Sequence, residues 1–164
     1  CVGGVPPTSQ RHGGCVAAAV VAGGFLSAVV SGKACTCGWQ CVSTRGPIRG
    51  RCCLQCPGRN SAVAAALSGG FYVCGGSNQD GDLDSVDRFD PDALAWERPP
   101  SMSQSWTGAA GGALAKHLYV CGGTSGGEVL RSVEAFNLQS GSWGIIPPMA
   151  SRRRFAASAF LSIG

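Results

Sequence analysis

Two stretches of the chain repeat each other at a spacing of 47 residues, and this repeat restricts the fold more than any other feature. Residues 62–102 align without a gap with residues 109–149 (109 − 62 = 47), and fifteen of the 41 aligned positions are identical. The identical positions include Leu67/Leu114, Tyr72/Tyr119, Cys74/Cys121, Phe89/Phe136, Trp96/Trp143 and Met102/Met149. A repeat of this length indicates one small structural unit used more than once, each copy packing on the next.

Each copy predicts four short β-strands. Short apolar runs bounded by glycine, proline or polar residues are typical of strands, and no part of the repeat has the 3.6-residue period of a helix. The expected strands are 62–67, 71–74, 85–89 and one at Trp96 in the first copy, and 109–114, 118–121, 132–136 and one at Trp143 in the second. The sequence therefore predicts an all-β fold of four-stranded antiparallel sheets.

Sheets of this size can bury both faces by packing around a common axis, which is the arrangement of a β-propeller. Large rings are expected to fill the wedge between neighbouring sheets. A double glycine after the second strand permits positive φ and close approach of two backbones. The predicted repeat core is therefore formed by two tyrosines, two tryptophans and two glycine pairs: Tyr72, Tyr119, Trp96, Trp143, Gly75, Gly76, Gly122 and Gly123.

The order of residues in each copy resembles the kelch repeat. In the first copy, Tyr-Val-Cys-Gly-Gly from Tyr72 is followed by Ser-Val-Asp-Arg-Phe-Asp-Pro from Ser85 and by Trp-Glu-Arg-Pro-Pro-Ser-Met from Trp96. The resemblance covers residues 59–164 and implies kelch blades in a propeller of about six blades. WD40 repeats need a Trp-Asp pair, which is absent here because Glu97 and Gly144 follow the two tryptophans.

The resemblance also implies a function, since kelch propellers are platforms for protein interaction. Two classes of partner are common in the family: substrates of cullin-type ubiquitin ligases, whose adaptors also need a BTB domain, and actin. A propeller-based oxidase is the alternative, and it would need a Tyr/Cys/His cluster. The tyrosines are repeat-core positions and the only histidines are His12 and His117. We therefore predict protein binding, with no catalytic residue and no cofactor.

The chain spans about three repeat periods, because Arg11 and Arg152 are 141 residues apart (152 − 11 = 141 = 3 × 47). Both ends look cut, so we expect a fragment of a propeller whose ring is not closed in this chain. The expected organisation is the end of one blade and the first strand of the next in 1–25, a Cys-rich irregular segment in 26–58, kelch repeats in 59–108 and 109–154, and the first strand of a further blade in 155–164.

Six of the ten cysteines lie between Cys35 and Cys56, where a repeat is due but is not seen. One interpretation is translation in the wrong frame. Deleting one base from codons for Phe-Tyr-Val-Cys-Gly-Gly gives Phe-Leu-Ser-Ala-Val-Val, which is the sequence of residues 25–30. The alternative is a zinc-binding insert, although only Cys53 and Cys56 have the usual C-x2-C spacing. Sequencing the transcript separates the two, since an intact frame would favour zinc.

Residues 15–30 are apolar, but they are too few to form a membrane helix. A bilayer-spanning helix needs roughly 20 residues, whereas this run has 16 and is interrupted by Gly23-Gly24. Two buried strands joined by a glycine turn are predicted instead, with no contact to a membrane. The net charge of +4, with no aromatic residues among the basic ones, argues against a nucleic-acid partner. Because no N-x-[ST] site is present and the thiols are expected to be free, a cytoplasmic location is expected.

The candidate binding residues lie in the loops between second and third strands and in the connections between blades. They are Asp80, Asp82, Asp84, Arg131, Arg152, Arg153 and Arg154. Arginine binds carboxylates through two parallel hydrogen bonds, so we predict a protein partner with an acidic surface, unless these arginines are ordinary solvated charges. The three aspartates mimic the start of a calcium loop, but Ser85 and Pro91 stand where an EF-hand needs Gly and Glu, so no metal is predicted.

Overall fold

The computed structural model describes residues 16–21, 24–29, 42–43, 46–47, 59–93 and 95–159, with the backbone alone before residue 59. Every regular element in these residues is a β-strand, which confirms the all-β class. In chain order the strands are β1 (Val16–Val21), β2 (Gly24–Val29), β3 (Val42–Ser43), β4 (Gly46–Pro47), β5 (Val63–Leu67), β6 (Gly70–Cys74), β7 (Ser77–Asn78), β8 (Gly81–Asp82), β9 (Val86–Asp90), β10 (Ala95–Glu97), β11 (Ala110–Leu114), β12 (His117–Cys121), β13 (Thr124–Ser125), β14 (Glu128–Val129), β15 (Val133–Asn137) and β16 (Ser142–Ile146).

Two four-stranded antiparallel sheets form the main body of the described chain. The first blade consists of β5, β6, β9 and β10, and the second blade consists of β11, β12, β15 and β16. In each blade the strands pair in the order in which they occur, so the chain runs back and forth from the first strand to the fourth. The strands predicted for the two repeats are confirmed, no strand is present in 155–159, and the described sheets do not close a ring.

The backbone hydrogen bonds outside the sheets repeat at the spacing of the sequence. Gly75 N–H donates to the carbonyl of Ser85, and Gly122 N–H donates to that of Ser132, each pair 47 residues from the other. The backbone hydrogen bonds that join each blade to the connection after it also repeat at a spacing of 47 residues. The structural repeat therefore follows the sequence repeat at the level of single peptide groups.

Apolar side chains fill the space between the two blades. The innermost strands β5 and β11 lie side by side, and a Cβ on Gly111 would meet the Val63 side chain at 2.7 Å. The Tyr72 ring of the first blade lies 6.2 Å from the Phe136 ring of the second. Leu118 and Val120 have no exposed surface and belong to the same cluster. Burial of apolar area between the sheets is the main stabilising contribution in a packing of this kind.

Each blade also carries a small hairpin whose two strands have two residues each, and the sequence did not indicate these hairpins. β7 pairs with β8, and β13 pairs with β14, within stretches that were predicted to be polar loops. In the first hairpin the Asn78 side-chain oxygen accepts hydrogen bonds from the backbone N–H groups of Asp80 and Gly81, at 2.8 and 3.1 Å. Such an Asx turn forms from polar residues alone, so it leaves no apolar alternation in the sequence.

The apolar run before the first blade contains two paired strands, as predicted, and the turn expected between them lies at residues 22–23, outside the described residues. β1 pairs antiparallel with β2, from Val16 opposite Val29 to Val21 opposite Gly24, and β1 lies beside β5. Residues 26–29 were assigned to the irregular segment, and this is wrong because β2 contains them. Strand pairing uses backbone groups, so an apolar run pairs whether or not it keeps the residues of the repeat. Among the described residues no helix is long and apolar enough to cross a bilayer.

The rest of the Cys-rich segment is described only at one short hairpin, in which β3 pairs with β4. The candidate zinc ligands Cys35, Cys37, Cys41, Cys52, Cys53 and Cys56 lie outside the described residues, as do His12 and residues 160–164. The frame-shift interpretation and the zinc interpretation both stay predictions.

Candidate protein-interaction surface

All the predicted binding residues lie at one end of the two blades. Because the strands run back and forth, the connection from β6 to β9 and the connection from β10 to β11 leave the sheet at the same end. Backbone bonds tie the two kinds of connection together: Met102 N–H donates to Asp84 at 3.0 Å, and Met149 N–H donates to Arg131 at 2.8 Å. We call this the loop end, formed by residues 75–85, 98–109, 122–132 and 147–155.

The three aspartates of the first blade have different surroundings. Asp80 and Asp84 are exposed. Asp82 is half-buried, and its carboxylate accepts hydrogen bonds from Thr107 Oγ1 at 2.7 Å and from the Gly126 backbone N–H at 3.0 Å. Asp82 therefore ties the hairpin of the first blade to that of the second. These bonds give Asp82 a structural role, and its predicted role as a ligand for a partner stays a prediction.

The four predicted arginines are exposed on the second blade and the segment after it. Arg152 Nη1 donates to the carbonyl of Val129 at 2.5 Å, which places this guanidinium on the loop that ends at Arg131. Arg153 Nε donates to Ser151 Oγ at 3.2 Å. In residues 59–93 and 95–159, the ion pairs use Arg59, Arg88 and Arg98 and none of the predicted four. The loop end of the second blade thus presents cationic groups that form no ion pair in the described chain, together with one exposed carboxylate, Glu128.

A buried ion pair lies beneath the loop end of the first blade, and the sequence did not indicate it. Arg59 is 1% exposed and Asp87 is 3% exposed, and their side chains are hydrogen-bonded to each other. Arg59 Nη1 also donates to the carbonyls of Gly75 and Ser85, both at 3.0 Å. This guanidinium therefore joins the residues before the blade to its second and third strands.

The second blade has a different polar group at the equivalent place. Trp106 has no exposed surface, and its indole N–H donates to Glu134 Oε1 at 3.2 Å. Glu134, which is 1% exposed, also accepts hydrogen bonds from Ser103 N at 2.9 Å and Ser103 Oγ at 2.7 Å. The spacing of 47 residues would have matched Arg59 with Trp106 (59 + 47 = 106) and Asp87 with Glu134 (87 + 47 = 134). Only the second match lay inside the aligned stretch, and there the residues are similar but not identical.

The large rings of the predicted repeat core are placed unequally. Tyr72 is 2% exposed between the blades, and burial raises its pKa, whereas Tyr119 is half-buried. Trp143 donates its indole N–H to the carbonyl of Pro100 in the preceding connection, at 2.9 Å. Trp96 is half-buried and lies 5.3 Å from the Phe89 ring of its own blade. Tyr72 and Trp143 are thus the rings that join the two described blades.

The double glycines allow two backbones to meet at the loop end. Gly76 has φ of 91°, and a Cβ there would lie 2.5 Å from the carbonyl oxygen of Asn60. Its counterpart Gly123 has φ of 80°, and a Cβ would lie 2.7 Å from the carbonyl oxygen of Thr107. The preceding residues Gly75 and Gly122 also have positive φ. A side chain at either position would therefore meet strain and a backbone clash.

Cys74 and Cys121 are free thiols on the second strand of each blade. Burial raises the pKa of Cys74 from 9.0 to about 12, and it raises the pKa of the half-buried Cys121 less far. Because the thiolate is the reactive form, both groups behave as small apolar side chains at neutral pH.

We expect Cys74 to resist alkylation by iodoacetamide at pH 8 in the folded protein and to react after unfolding in urea. The folded state holds the Cys74 proton more tightly than the unfolded state. Its contribution to stability is therefore complete below pH 9 and declines from pH 9 to about 12. Mass spectrometry of the modified peptides gives the rate, with Cys121 as the internal comparison. Equal rates at the two thiols would contradict this expectation.

His117 is half-buried as the first residue of β12, with its ring 6.0 Å from the Tyr119 ring. Within the described part of the chain, no three His, Cys, Asp or Glu side chains come together in a way that could hold a metal ion.

Comparison with known families gives one match. The Kelch motif matches residues 58–103 and again residues 105–150, which together make up more than half of the chain. The chain therefore belongs to the kelch family, and its two repeats are blades of a β-propeller that serves as a protein-interaction module. The curated proteins include no significant match to the chain.

Proposed function

We propose that the loop end binds an acidic segment of a partner protein, as the recognition part of a ubiquitin-ligase adaptor or of an actin-binding protein. One observation carries the proposal: Arg131, Arg152 and Arg154 are exposed at the loop end of one blade, and no carboxylate of the described residues pairs with them. Strands are committed to packing in a propeller, so recognition belongs to the loops.

Charge differs between the two blades, and this difference gives the partner an orientation. At the loop end the first blade exposes Asp80 and Asp84 with one arginine, Arg98, whereas the second blade and the segment after it expose four arginines with one carboxylate, Glu128. Opposite charges attract and like charges repel across an interface, which favours one register. The acidic part of the partner is therefore expected over the second blade.

No observation favours an oxidase. Tyr72 is buried between the blades, where it cannot reach a substrate, and His117 lies in the strand next to β11 at the end opposite the loop end. The adaptor and actin-binding roles differ in the partner alone. Co-purification with a cullin favours an adaptor, and sedimentation with filamentous actin favours an actin-binding protein.

We expect the double variant Arg131→Ala/Arg152→Ala to bind a fluorescein-labelled hexaglutamate peptide at least ~10-fold more weakly than the wild type, because each lost guanidinium removes charge-assisted hydrogen bonds. Fluorescence anisotropy gives the affinity. Binding should also weaken as salt is raised, since exposed charges are screened.

Lys116→Ala is the matched control. Lys116 is exposed in the turn between β11 and β12, at the opposite end of the same blade. Its replacement therefore removes a positive charge that is distant from the loop end. An equal loss of affinity in Lys116→Ala would show that the peptide responds to net charge only. This result would contradict the proposed site.

A further inference from the structure

Arg153 lies one repeat after Trp106 and two repeats after Arg59, so the three residues hold equivalent positions. Residues 59, 106 and 153 are separated by one repeat each (59 + 47 = 106; 106 + 47 = 153). Trp106 N–H donates to Leu83 at 3.0 Å and Trp106 C=O accepts from Gly76 at 2.6 Å. Arg153 makes the same two bonds one repeat later, to Leu130 at 3.0 Å and from Gly123 at 2.6 Å. The backbone at Arg153 therefore bonds to the preceding loop as it does at Trp106, although the Arg153 side chain is exposed in the described chain.

The torsion angles two residues later agree with this equivalence. Ser61, Gly108 and Phe155 have φ of 54°, 61° and 51°. A positive φ is unfavourable for serine and more so for phenylalanine, so the repeated geometry imposes it. The repeat of the structure thus extends through residue 155.

At the first two members of the series the side chain enters the blade and meets a buried carboxylate. Arg59 pairs with Asp87, 28 residues later (87 − 59 = 28), and Trp106 donates to Glu134, also 28 residues later (134 − 106 = 28). Both side chains are almost completely buried. The position is therefore a polar core position of the kelch blade in this protein, and it accepts arginine.

The neighbours of Arg153 belong to surface positions. Ser105 and Thr107, which are equivalent to Arg152 and Arg154, are only half-buried, unlike Trp106 between them, and they bond to other loops at the loop end. Arg131 is equivalent to the exposed Asp84 (84 + 47 = 131). At these three surface positions the second repeat unit has arginine where the first has Asp, Ser and Thr. Packing does not require that change, so it fits a binding role.

We infer that the arginine run has two functions: Arg153 is the core arginine of the blade that begins at Phe155, and Arg131, Arg152 and Arg154 form the anion-binding surface. In the two described blades the buried carboxylate lies 28 residues after this position, and the same spacing from Arg153 falls outside the 164 residues of this sequence. The surface half of the inference rests on the proposed function, whereas the core half does not.

The test uses the full-length protein with single variants Arg152→Ala, Arg153→Ala and Arg154→Ala. Thermal unfolding and anisotropy with the hexaglutamate peptide are measured for each. We expect Arg153→Ala to lower the Tm by roughly 5 °C or more, because it leaves a buried carboxylate unpaired. Arg152→Ala and Arg154→Ala are expected to keep the Tm and to weaken peptide binding by roughly fivefold.

The two halves can fail separately. An unchanged Tm with weaker peptide binding in Arg153→Ala would overturn the core role. A lower Tm in Arg153→Ala, with no effect of the neighbouring variants on the peptide, would overturn the surface role and the proposed function with it. If Arg153→Ala does not fold, Arg153→Lys replaces it: a Tm lower than that of the wild type supports the core role, and an unchanged Tm overturns it.

Discussion

Replacing Trp106 by alanine is expected to lower the free energy of unfolding by about 3–5 kcal/mol, the usual cost of removing a large buried ring. Among residues 59–93 and 95–159, Trp106 is the largest side chain without exposed surface, and it belongs to the cluster between the two blades. The substitution leaves a cavity and also removes one hydrogen bond from Glu134, a carboxylate that is 1% exposed. Both effects destabilise the folded state, and urea denaturation of the full-length protein measures their sum.

Trp143→Ala is the matched control for this experiment. It removes the same ring, together with a hydrogen bond to the carbonyl of Pro100, from a half-buried site. We expect a cost of about 1–2 kcal/mol, because less apolar area returns to water. A loss below about 1 kcal/mol in Trp106→Ala would mean that the ring does not support the packing of the blades.

The strands were predictable because each short apolar run occurs twice, at the same place in both repeats. A run such as 71–74 is short and ambiguous alone, but its recurrence at 118–121 ties it to one place in a larger unit. The structure places β6 and β12 there, and each begins one residue earlier than expected. Ends of strands depend on single backbone hydrogen bonds, which leave little trace in the sequence.

The buried polar groups could not be predicted in the same way. Arg59 has no arginine in the next repeat, and Trp106 has no tryptophan in the one before, so neither contributes an identical pair. A charged residue is also normally assigned to the surface. What the two positions share is their surroundings, a carboxylate 28 residues later, and this relation appears only when the third strand is seen beside the connection before the blade.

The candidate site was predictable in outline and not in detail. Sequence order placed Asp80, Asp82 and Asp84 together as loop charges, yet only Asp82 lies in a strand, β8, whereas Asp80 lies in the turn before it and Asp84 follows it. Asp82 consequently bonds to Thr107 and to the Gly126 backbone, while its two neighbours are exposed. For the same reason a run of three arginines need not have one function.

The second large effect is expected at the buried ion pair of the first blade. Asp87→Ala should lower the free energy of unfolding by about 3–5 kcal/mol, because it leaves the Arg59 guanidinium buried without its carboxylate. The Arg59 Nε atom has no hydrogen-bond partner among the described residues. The ion pair with Asp87 therefore offsets much of the free-energy cost of burying the guanidinium. Arg98, whose Nε lies 3.4 Å from Asp87, is 74% exposed and returns to water when the carboxylate is removed.

A double-mutant cycle separates the interaction from the cost of an unpaired charge. Replacing both partners, as Arg59→Met/Asp87→Leu, is expected to cost less than Asp87→Ala alone, since an apolar pair of similar volume leaves no charge in the core. Asp80→Ala is the control for loss of an exposed carboxylate and should leave the urea midpoint nearly unchanged. If the double variant were as unstable as the sum of its single variants, Arg59 and Asp87 would act independently. The ion pair would then not be the group that holds the first blade to the residues before it.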